Sequence, residues 1–179
     1  MLLVSAFYSE WCSAKKLFED AYDTQIRQAS ELYLPAWDWH WWKAQLYQES
    51  LLRPNAVSYV GAAGICQAMP ATFAQWNAHF GWGATAAPTV ASYCITGGAW
   101  YMANLRAGWT AKRTEDDRRR LAQASYNAGS GNIIRAQSKC AGKSAWSEIS
   151  PCLILVTGKY SKETLTYVAR IQVWFMEMQ

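Results

Sequence analysis

One acidic side chain, Glu49, stands alone in a long stretch of the sequence. Asp38 precedes it, Glu115 follows it, and no other Asp or Glu lies between those two. Glu49 should fall at the end of a strongly apolar helix, where burial and the negative end of the helix dipole both raise the pKa of a carboxyl group. A carboxylic acid that stays protonated near neutral pH is suited to general acid catalysis. Glu49 is therefore the first candidate catalytic residue.

A structural role for Glu49 stays open beside the catalytic one. Buried acids can pair with a base, and Lys43 and Arg53 are the cations nearest to it in the sequence. The composition favours catalysis, because the chain contains 11 Trp and 10 Tyr and these rings stack on sugars. A single acid beside a glycine-rich loop and many aromatic faces suits chemistry on a polysaccharide.

The elements that must position Glu49 are predicted to be helices. Helical periodicity covers residues 7–32, 34–52, 70–80, 89–106, 114–128 and a last helix capped by Ser161. Pro54 should end the helix that carries Glu49, and the Gly and Ala residues of 58–67 predict a loop or a small hairpin. The expected fold class is mainly α, with a small irregular or β-hairpin insert after the catalytic helix.

Composition and charge limit the kind of protein. With 179 residues, 51% hydrophobic, the chain suits one globular domain. No apolar run is long enough for stable insertion into a membrane, and residues 1–7 are too short and too uncharged for a signal peptide. We therefore expect a protein that is made in the cytoplasm without a signal peptide. The net charge of +4 is uneven, with −2 in residues 1–100 and +6 in residues 101–179, but no nucleic-acid-binding motif accompanies the basic half. Arg118-Arg119-Arg120 is expected on a solvated helix face.

The five cysteines are Cys12, Cys66, Cys94, Cys140 and Cys152. Their spacing does not suit a structural zinc site. Cys140 and Cys152 could form a disulfide if the protein works outside the cytoplasm. Free cysteines acting as small buried hydrophobic residues are at least as good an explanation for the other three.

Several motifs follow one another along the chain: Gln48-Glu49-Ser50 with residues 54–58, residues 61–67 with 69–72, Ser125-Tyr126-Asn127-Ala128-Gly129, and residues 163–168. Together they resemble the catalytic core of the SLT-type lytic transglycosylases, relatives of goose-type lysozyme. The resemblance covers about residues 36–175. It implies a single lysozyme-like catalytic domain over residues 1–179, with residues 1–35 as a helical extension outside the resemblance.

The resemblance also implies residue roles. Glu49 would be the catalytic acid and base. The residues that bind the sugars or support the cleft would be Ser58, Gln67, Tyr126, Asn127 and Tyr167. Cys66 departs from the family, which usually has Met there, and this changes an apolar wall of the cleft.

The implied reaction is cleavage of the β-1,4 bond between N-acetylmuramic acid and N-acetylglucosamine, with formation of a 1,6-anhydro end. The substrate's 2-acetamido group would replace the second carboxylate that ordinary glycosidases use. We expect a monomer that needs no metal or organic cofactor and acts on peptidoglycan strands in the periplasmic or extracellular wall. A phage endolysin or virion-borne enzyme is the expected setting, and a secretion-system enzyme is the alternative.

Two other functions stay open. A goose-type hydrolase would use Glu115, Asp116 or Asp117 to activate water, although their positions in the first turn of a helix favour a capping role. A non-catalytic wall-binding module could use the same fold.

Overall fold

A computed structural model describes residues 18–179, and nearly all of the regular structure there is helical. The α-helices in chain order are α1 (Asp23–Tyr33), α2 (Trp39–Ser50), α3 (Pro70–Phe80), α4 (Ala91–Ala107), α5 (Glu115–Ala128), α6 (Ser130–Lys139), α7 (Trp146–Ile149), α8 (Ile154–Thr157) and α9 (Ser161–Glu177). Strand pairing among these residues is limited to two isolated bridges between α2 and α3. The mainly helical fold class with a small irregular insert is therefore confirmed.

Helix α2 lies between two hydrophobic cores. Trp42 and Leu46 belong to the first core, which is built mainly from α1 to α4 and the insert. Ala44 belongs to the second core, which is built from α5 to α9. Both sides of α2 are therefore buried, as expected for a helix that is apolar nearly all round. The two cores pack on opposite sides of this helix. Within residues 18–179 no helix has the length and apolarity needed to cross a membrane.

Helix α2 is shorter than the predicted span of residues 34–52. Its start is fixed by Asp38, whose carboxylate accepts a hydrogen bond from a backbone N–H of the first turn at 2.9 Å. Its end is fixed by Leu51 and Leu52, which have φ angles of 57° and 59°. A left-handed residue stops a helix and turns the chain away from its axis. The turn directs the chain into the insert, residues 51–69.

Two other helix starts differ from their predictions. Helix α1 begins at Asp23, so residues 18–22 precede it, and the earlier part of the predicted helix 7–32 lies outside the described residues. Ser161 is the first residue of α9 and not its cap; the N-cap position is Tyr160, which makes no side-chain capping hydrogen bond. The 3-10 turn Gly158–Tyr160 runs directly into α9, which leaves no place for a separate cap.

Disulfides join Cys66 to Cys94 and Cys140 to Cys152 among the described residues. The second bond confirms the predicted pair. The expectation that Cys66 and Cys94 are free is wrong: both are buried, but they bond to each other and tie the insert to α4. Cys12 lies outside the described residues. Disulfides are typical of proteins that work in oxidising compartments.

Removal of the Cys66–Cys94 bond by Cys66→Ala with Cys94→Ala should lower the free energy of unfolding by about 3 kcal/mol, because the unfolded chain regains loop entropy. Its cysteines are 28 residues apart, against 12 for Cys140 and Cys152. The matched double substitution at Cys140 and Cys152 should therefore cost less, by about 0.7 kcal/mol. Urea unfolding measures both losses, and a larger loss for the second pair would contradict this entropic explanation.

Candidate active site

Glu49 lies in the last turn of α2, on the wall of an open cleft of about 570 Å³. Helix α9 and the turn before it supply most of the opposite wall. The lining residues are Gln48, Glu49, Asn127, Lys159, Tyr160, Lys162, Glu163, Thr166, Tyr167 and Arg170. The cleft is thus formed where α2, the end of α5 and α9 meet.

Tyr167 holds the carboxyl group of Glu49. Its hydroxyl donates a hydrogen bond to Glu49 Oε1 at 2.5 Å, across 118 residues of sequence. Tyr167 is buried, and it also makes a side-chain hydrogen bond with Gln45, one turn before Glu49 on α2. The packing of α9 on α2 therefore fixes the orientation of the acid.

Burial raises the pKa of Glu49 to about 8, and the hydrogen bond from Tyr167 offsets only part of that rise. The residue as a whole is half-buried because one side opens on the cleft, whereas its carboxyl group is largely removed from water. Glu49 is therefore protonated at neutral pH and can donate a proton. The raised pKa predicted from the sequence is confirmed.

The two cations that could have neutralised Glu49 are engaged elsewhere. Lys43 Nζ contacts Asp23 Oδ1 at 2.5 Å, and Arg53 Nε donates to the carbonyl of Ser50 at 2.9 Å. The interpretation of Glu49 as half of an ion pair with Lys43 or Arg53 is therefore wrong. Over residues 18–179 no cation pairs with Glu49, which favours its neutral form, the form that a general acid needs.

Asn127 lines the same cleft, and Tyr126 lies beside it. Thr164 Oγ1 donates to Asn127 Oδ1 at 2.8 Å, and Tyr126 Oη donates to the carbonyl of Cys66 at 2.8 Å. Burial raises the pKa of Tyr126 well above its usual value, and the charge of Glu49 raises it further. Tyr126 therefore lies close enough to Glu49 to interact with it, and it joins α5 to the insert.

Ser58 and Gln67 lie in the insert and are not among the described residues that line the Glu49 cleft. Ser58 Oγ accepts a hydrogen bond from the N–H of Ala62 at 3.0 Å. Gln67 Nε2 donates to the carbonyls of Ala56 and Gly64 at 3.1 and 3.0 Å. In this structure both side chains hold the shape of the insert.

Several charged residues of the cleft were given no role by the motifs, although Glu163 is the first residue of the motif 163–168. Glu163 lies four residues before Tyr167, Arg170 lies three residues after it, and Lys159 lies eight before it. Side chains at these intervals share one face of a helix or lie next to it. Helical periodicity counted from Tyr167 is the sequence signal that would have found them.

The three acids that could activate water for a hydrolase lie at the start of α5 and are engaged there. Partial burial raises the pKa of Glu115, but hydrogen bonds from Arg106 and other donors hold it below its usual value. Asp116 forms an ion pair with Arg119, and Asp117 accepts a backbone N–H of α7 at 2.8 Å. Arg119, expected on a solvated face, is instead buried against an aromatic ring. Among the described residues, none of these three acids lines the Glu49 cleft.

Comparisons with known proteins identify relatives of this chain. The profile of the transglycosylase SLT domain matches residues 35–149. A relative, the membrane-bound lytic murein transglycosylase F of Alteromonas mediterranea, is 33% identical over 114 residues, which is 64% of this chain and 23% of that protein.

Two solved structures share the fold. One is an inactive mutant of the lytic transglycosylase Slt from Pseudomonas aeruginosa, with a TM-score of 0.71 and 23% identity over 88% of this chain and 24% of that one. The other is the 70 kDa soluble lytic transglycosylase Slt70 from Escherichia coli, with a TM-score of 0.65 and 23% identity over 88% and 25% of the two chains. The chain spans about a quarter of the length of these relatives. Since the profile matches most of its residues, the chain belongs to the transglycosylase SLT domain family.

Proposed function

We propose that this chain is a peptidoglycan lytic transglycosylase that cleaves the β-1,4 bond between N-acetylmuramic acid and N-acetylglucosamine. The observation that carries the proposal is Glu49, a protonated acid on the wall of an open cleft, held by Tyr167 and paired with no cation of residues 18–179. Membership of the SLT family and the names of the relatives support the same reaction class.

Glu49 would act twice in this reaction. It first donates its proton to the glycosidic oxygen, the bond from that oxygen to C1 breaks, and N-acetylglucosamine leaves as an alcohol. The 2-acetamido group of the muramic acid stabilises the positive charge at C1. The Glu49 carboxylate then takes the proton of the C6 hydroxyl while that oxygen bonds to C1. The acid is restored, a 1,6-anhydro ring is formed, and no water is consumed.

The hydrogen bond from Tyr167 suits both steps. A donor to a carboxylate stabilises the charged form, so Tyr167 would support Glu49 in the interval when it has lost its proton. The bond also keeps one carboxyl oxygen occupied, which leaves the other to face the sugar. Tyr167 is thus proposed as a positioning residue for the catalytic acid.

The remaining predicted residues are proposed to bind or shape the site. Asn127 accepts from Thr164 through Oδ1, which leaves its amide N–H groups to donate to a sugar in the cleft. Tyr126 supports the insert through the Cys66 carbonyl. Ser58 and Gln67 are proposed to present the insert to the N-acetyl group of the substrate.

The proposed setting is the bacterial wall outside the cytoplasm, where the enzyme acts as a monomer in phage lysis or wall penetration. The disulfides support an oxidising compartment. The excess of Lys and Arg in residues 101–179 favours approach to an anionic wall. Lysis of bacteria by added protein, after their outer barrier is opened, tests action from outside.

Mass spectrometry of digested peptidoglycan tests the reaction. We expect fragments with anhydro ends, each lighter by one water than the corresponding fragment from a muramidase digest run in parallel. Fragments with hydrated ends alone would show a goose-type hydrolase. Binding to the wall without any fragments would show a non-catalytic wall-binding module.

A hydrolase is the second candidate, and one observation favours it: a second acid, Glu163, lines the same cleft as Glu49. A two-carboxylate glycosidase would need such a group to activate water or to attack C1. The two candidates therefore differ in whether the oxygen of water enters the product.

Tyr167→Phe should move the pH dependence of cleavage in a defined direction. Because Glu49 must be protonated in the free enzyme, kcat/KM should fall above about pH 8. Loss of the Tyr167 hydroxyl removes the hydrogen bond that lowers this pKa, so the alkaline limb of the pH profile should move to higher pH. The value of kcat should also fall about tenfold, because the acid loses its orientation.

The control is Tyr160→Phe, which removes an exposed hydroxyl of the same cleft and should leave the alkaline limb of the pH profile unchanged. A shift to lower pH in Tyr167→Phe would contradict the assignment.

A further inference from the structure

The insert, residues 51–69, is anchored to α4 through residues 64–66. Cys66 forms a disulfide with Cys94 of α4, and the backbone N–H of Cys66 also donates to Cys94 Sγ at 3.2 Å. Both cysteines are buried, whereas most of residues 57–60 are exposed. The position of the insert is therefore set at its buried anchor and not at its outer end.

The same anchor accepts hydrogen bonds from the neighbours of the catalytic acid. Ser50, the residue that follows Glu49 on α2, donates through Oγ to the carbonyl of Ile65 at 2.9 Å. Tyr126 donates to the carbonyl of Cys66 at 2.8 Å, and it lies close enough to Glu49 to feel its charge. The anchor is thus held by the disulfide on one side and by the surroundings of Glu49 on the other.

The disulfide is the covalent link in a segment that has few regular hydrogen bonds. Strand pairing among residues 18–179 is limited to two isolated bridges, both within the insert. The hydrogen bonds to Ile65 and Cys66 compete with hydrogen bonds to water when the insert opens. Segments of this kind open locally at a lower free energy than packed helices do. Without the disulfide, the insert can therefore open while the helices around the two cores stay packed.

We propose that the Cys66–Cys94 disulfide is a positioning element of the active site, so that the disulfide form cleaves the glycan strand and the dithiol form does not. The inference rests on the proposed function and specifies how the same site is regulated. Where thiols are kept reduced, the insert would move away from Glu49 and activity would be low. Where disulfides form, the anchor would close and activity would appear.

Formation of the bond needs an oxidant, and the disulfide of a small molecule or of an oxidoreductase serves as one. The thiolate of one cysteine attacks a sulfur of the donor, which forms a mixed disulfide and releases the first donor thiol. The thiolate of the other cysteine then attacks the cysteine sulfur of the mixed disulfide and releases the second donor thiol. Two electrons pass to the donor, and the two protons of Cys66 and Cys94 end on its thiols.

The test compares the two redox forms of the protein while both are folded. Because the bond is buried, the dithiol form is prepared by unfolding in urea with dithiothreitol and refolding with the reductant present. Cys12→Ala in every sample removes the fifth thiol. At temperatures where near-UV circular dichroism shows both forms folded, the dithiol form should cleave purified strands about a hundredfold more slowly, the scale expected for a misplaced active-site wall. Added oxidised glutathione should restore the rate.

Two double variants show which disulfide is responsible. Cys66→Ala/Cys94→Ala should cleave at the low rate of the dithiol form in oxidising and reducing buffers alike. The matched control is Cys140→Ala/Cys152→Ala, which removes the other disulfide at residues that do not line the Glu49 cleft. It should keep the full response to oxidation. A response that is lost in this control and kept in Cys66→Ala/Cys94→Ala would overturn the proposal.

Hydrogen exchange and the pH profile separate positioning from a general loss of stability. On reduction, the amides of Gly64 and Ala68, which donate to carbonyls of the insert, should exchange at least tenfold faster, whereas the amides of α9 should not change. Burial raises the pKa of Glu49, so water admitted by an open insert should move the alkaline limb of the remaining activity to lower pH. Faster exchange in α9 and the insert alike, with an unmoved limb, would overturn the positioning role.

The products released by the two redox forms separate this inference from the proposed reaction. If both folded forms release anhydro fragments at equal rates, the positioning role is wrong and the reaction stands. If the disulfide form releases hydrated fragments and loses that activity on reduction, the positioning role is supported and the reaction is wrong. If neither form releases fragments, both are wrong.

Discussion

Glu49→Gln should reduce the rate of glycan cleavage by about a thousandfold or more, the scale expected when a positioned proton donor is lost. Gln keeps the size of the side chain and an oxygen that can accept the hydrogen bond from Tyr167, but it has no acidic proton. In the proposed reaction Glu49 is both the acid of the first step and the base of the second, so neither step has a replacement. Single-turnover digestion of purified strands measures the loss.

The same substitution should increase stability at alkaline pH. The pKa of Glu49 is about 8 in the folded protein, above its ordinary value of 4.5. The contribution of Glu49 to stability is therefore fully present below about pH 4.5, and it is lost as the pH rises through about 8. Gln does not ionise and avoids that loss. The Tm of Glu49→Gln should therefore exceed that of wild type at about pH 9, with a smaller difference at about pH 4.

The control for both measurements is Glu31→Gln, which changes an exposed acid of α1 away from the cleft. It should leave the cleavage rate and the pH dependence of Tm close to those of wild type. Cleavage by Glu49→Gln within about tenfold of wild type would mean that another group donates the proton. A lower Tm at alkaline pH would mean that Glu49 is not a desolvated acid.

Gly64→Ala should have the largest effect on stability, a loss of about 4 kcal/mol or more in the free energy of unfolding. Gly64 has a φ of +81°, which strains any residue with a Cβ. That Cβ would lie 1.9 Å from the carbonyl oxygen of Pro88 and 2.8 Å from Cys94 Sγ. Because the oxygen belongs to the backbone, the insert would have to move away from the segment before α4.

Gly61→Ala is the matched control for this prediction. Gly61 lies in the same insert with a φ of +85°, but no atom of residues 18–179 lies within 4 Å of the position that a Cβ would take. Only the backbone penalty applies, about 1 kcal/mol. Urea unfolding of the two variants gives the difference, which isolates close packing from conformation. Equal losses would contradict the close packing of the insert against Pro88.

The features that could be predicted from the sequence are those that depend on neighbouring residues. A local apolar pattern predicts that α2 is a helix and that Glu49 lies at its buried end. Burial and the helix dipole then predict the raised pKa of Glu49. The motif that contains Tyr167 placed it near the site only through family resemblance. Its hydrogen bond to Glu49 spans 118 residues, and no local pattern encodes such a contact.

The features that could not be predicted depend on how separate segments pack. The bond between Cys66 and Cys94 requires the insert to lie against α4, and nothing in the spacing of the cysteines encodes that arrangement. Arg119 was expected in solvent because a run of charges usually forms a solvated face, yet an aromatic ring of α2 covers it. Glu163 likewise lines the cleft only because α9 packs along α2.

Digestion in water enriched in heavy oxygen tests most directly the claim that Glu49 cleaves the strand without water. Mass spectrometry then reports the oxygen at each newly formed end. If Glu49 donates its proton and recovers it from the C6 hydroxyl, the new muramic acid ends will be anhydro sugars that contain no heavy oxygen. One heavy oxygen at each new end, lost in Glu163→Gln, would contradict this mechanism and show a hydrolase that uses both carboxylates of the cleft.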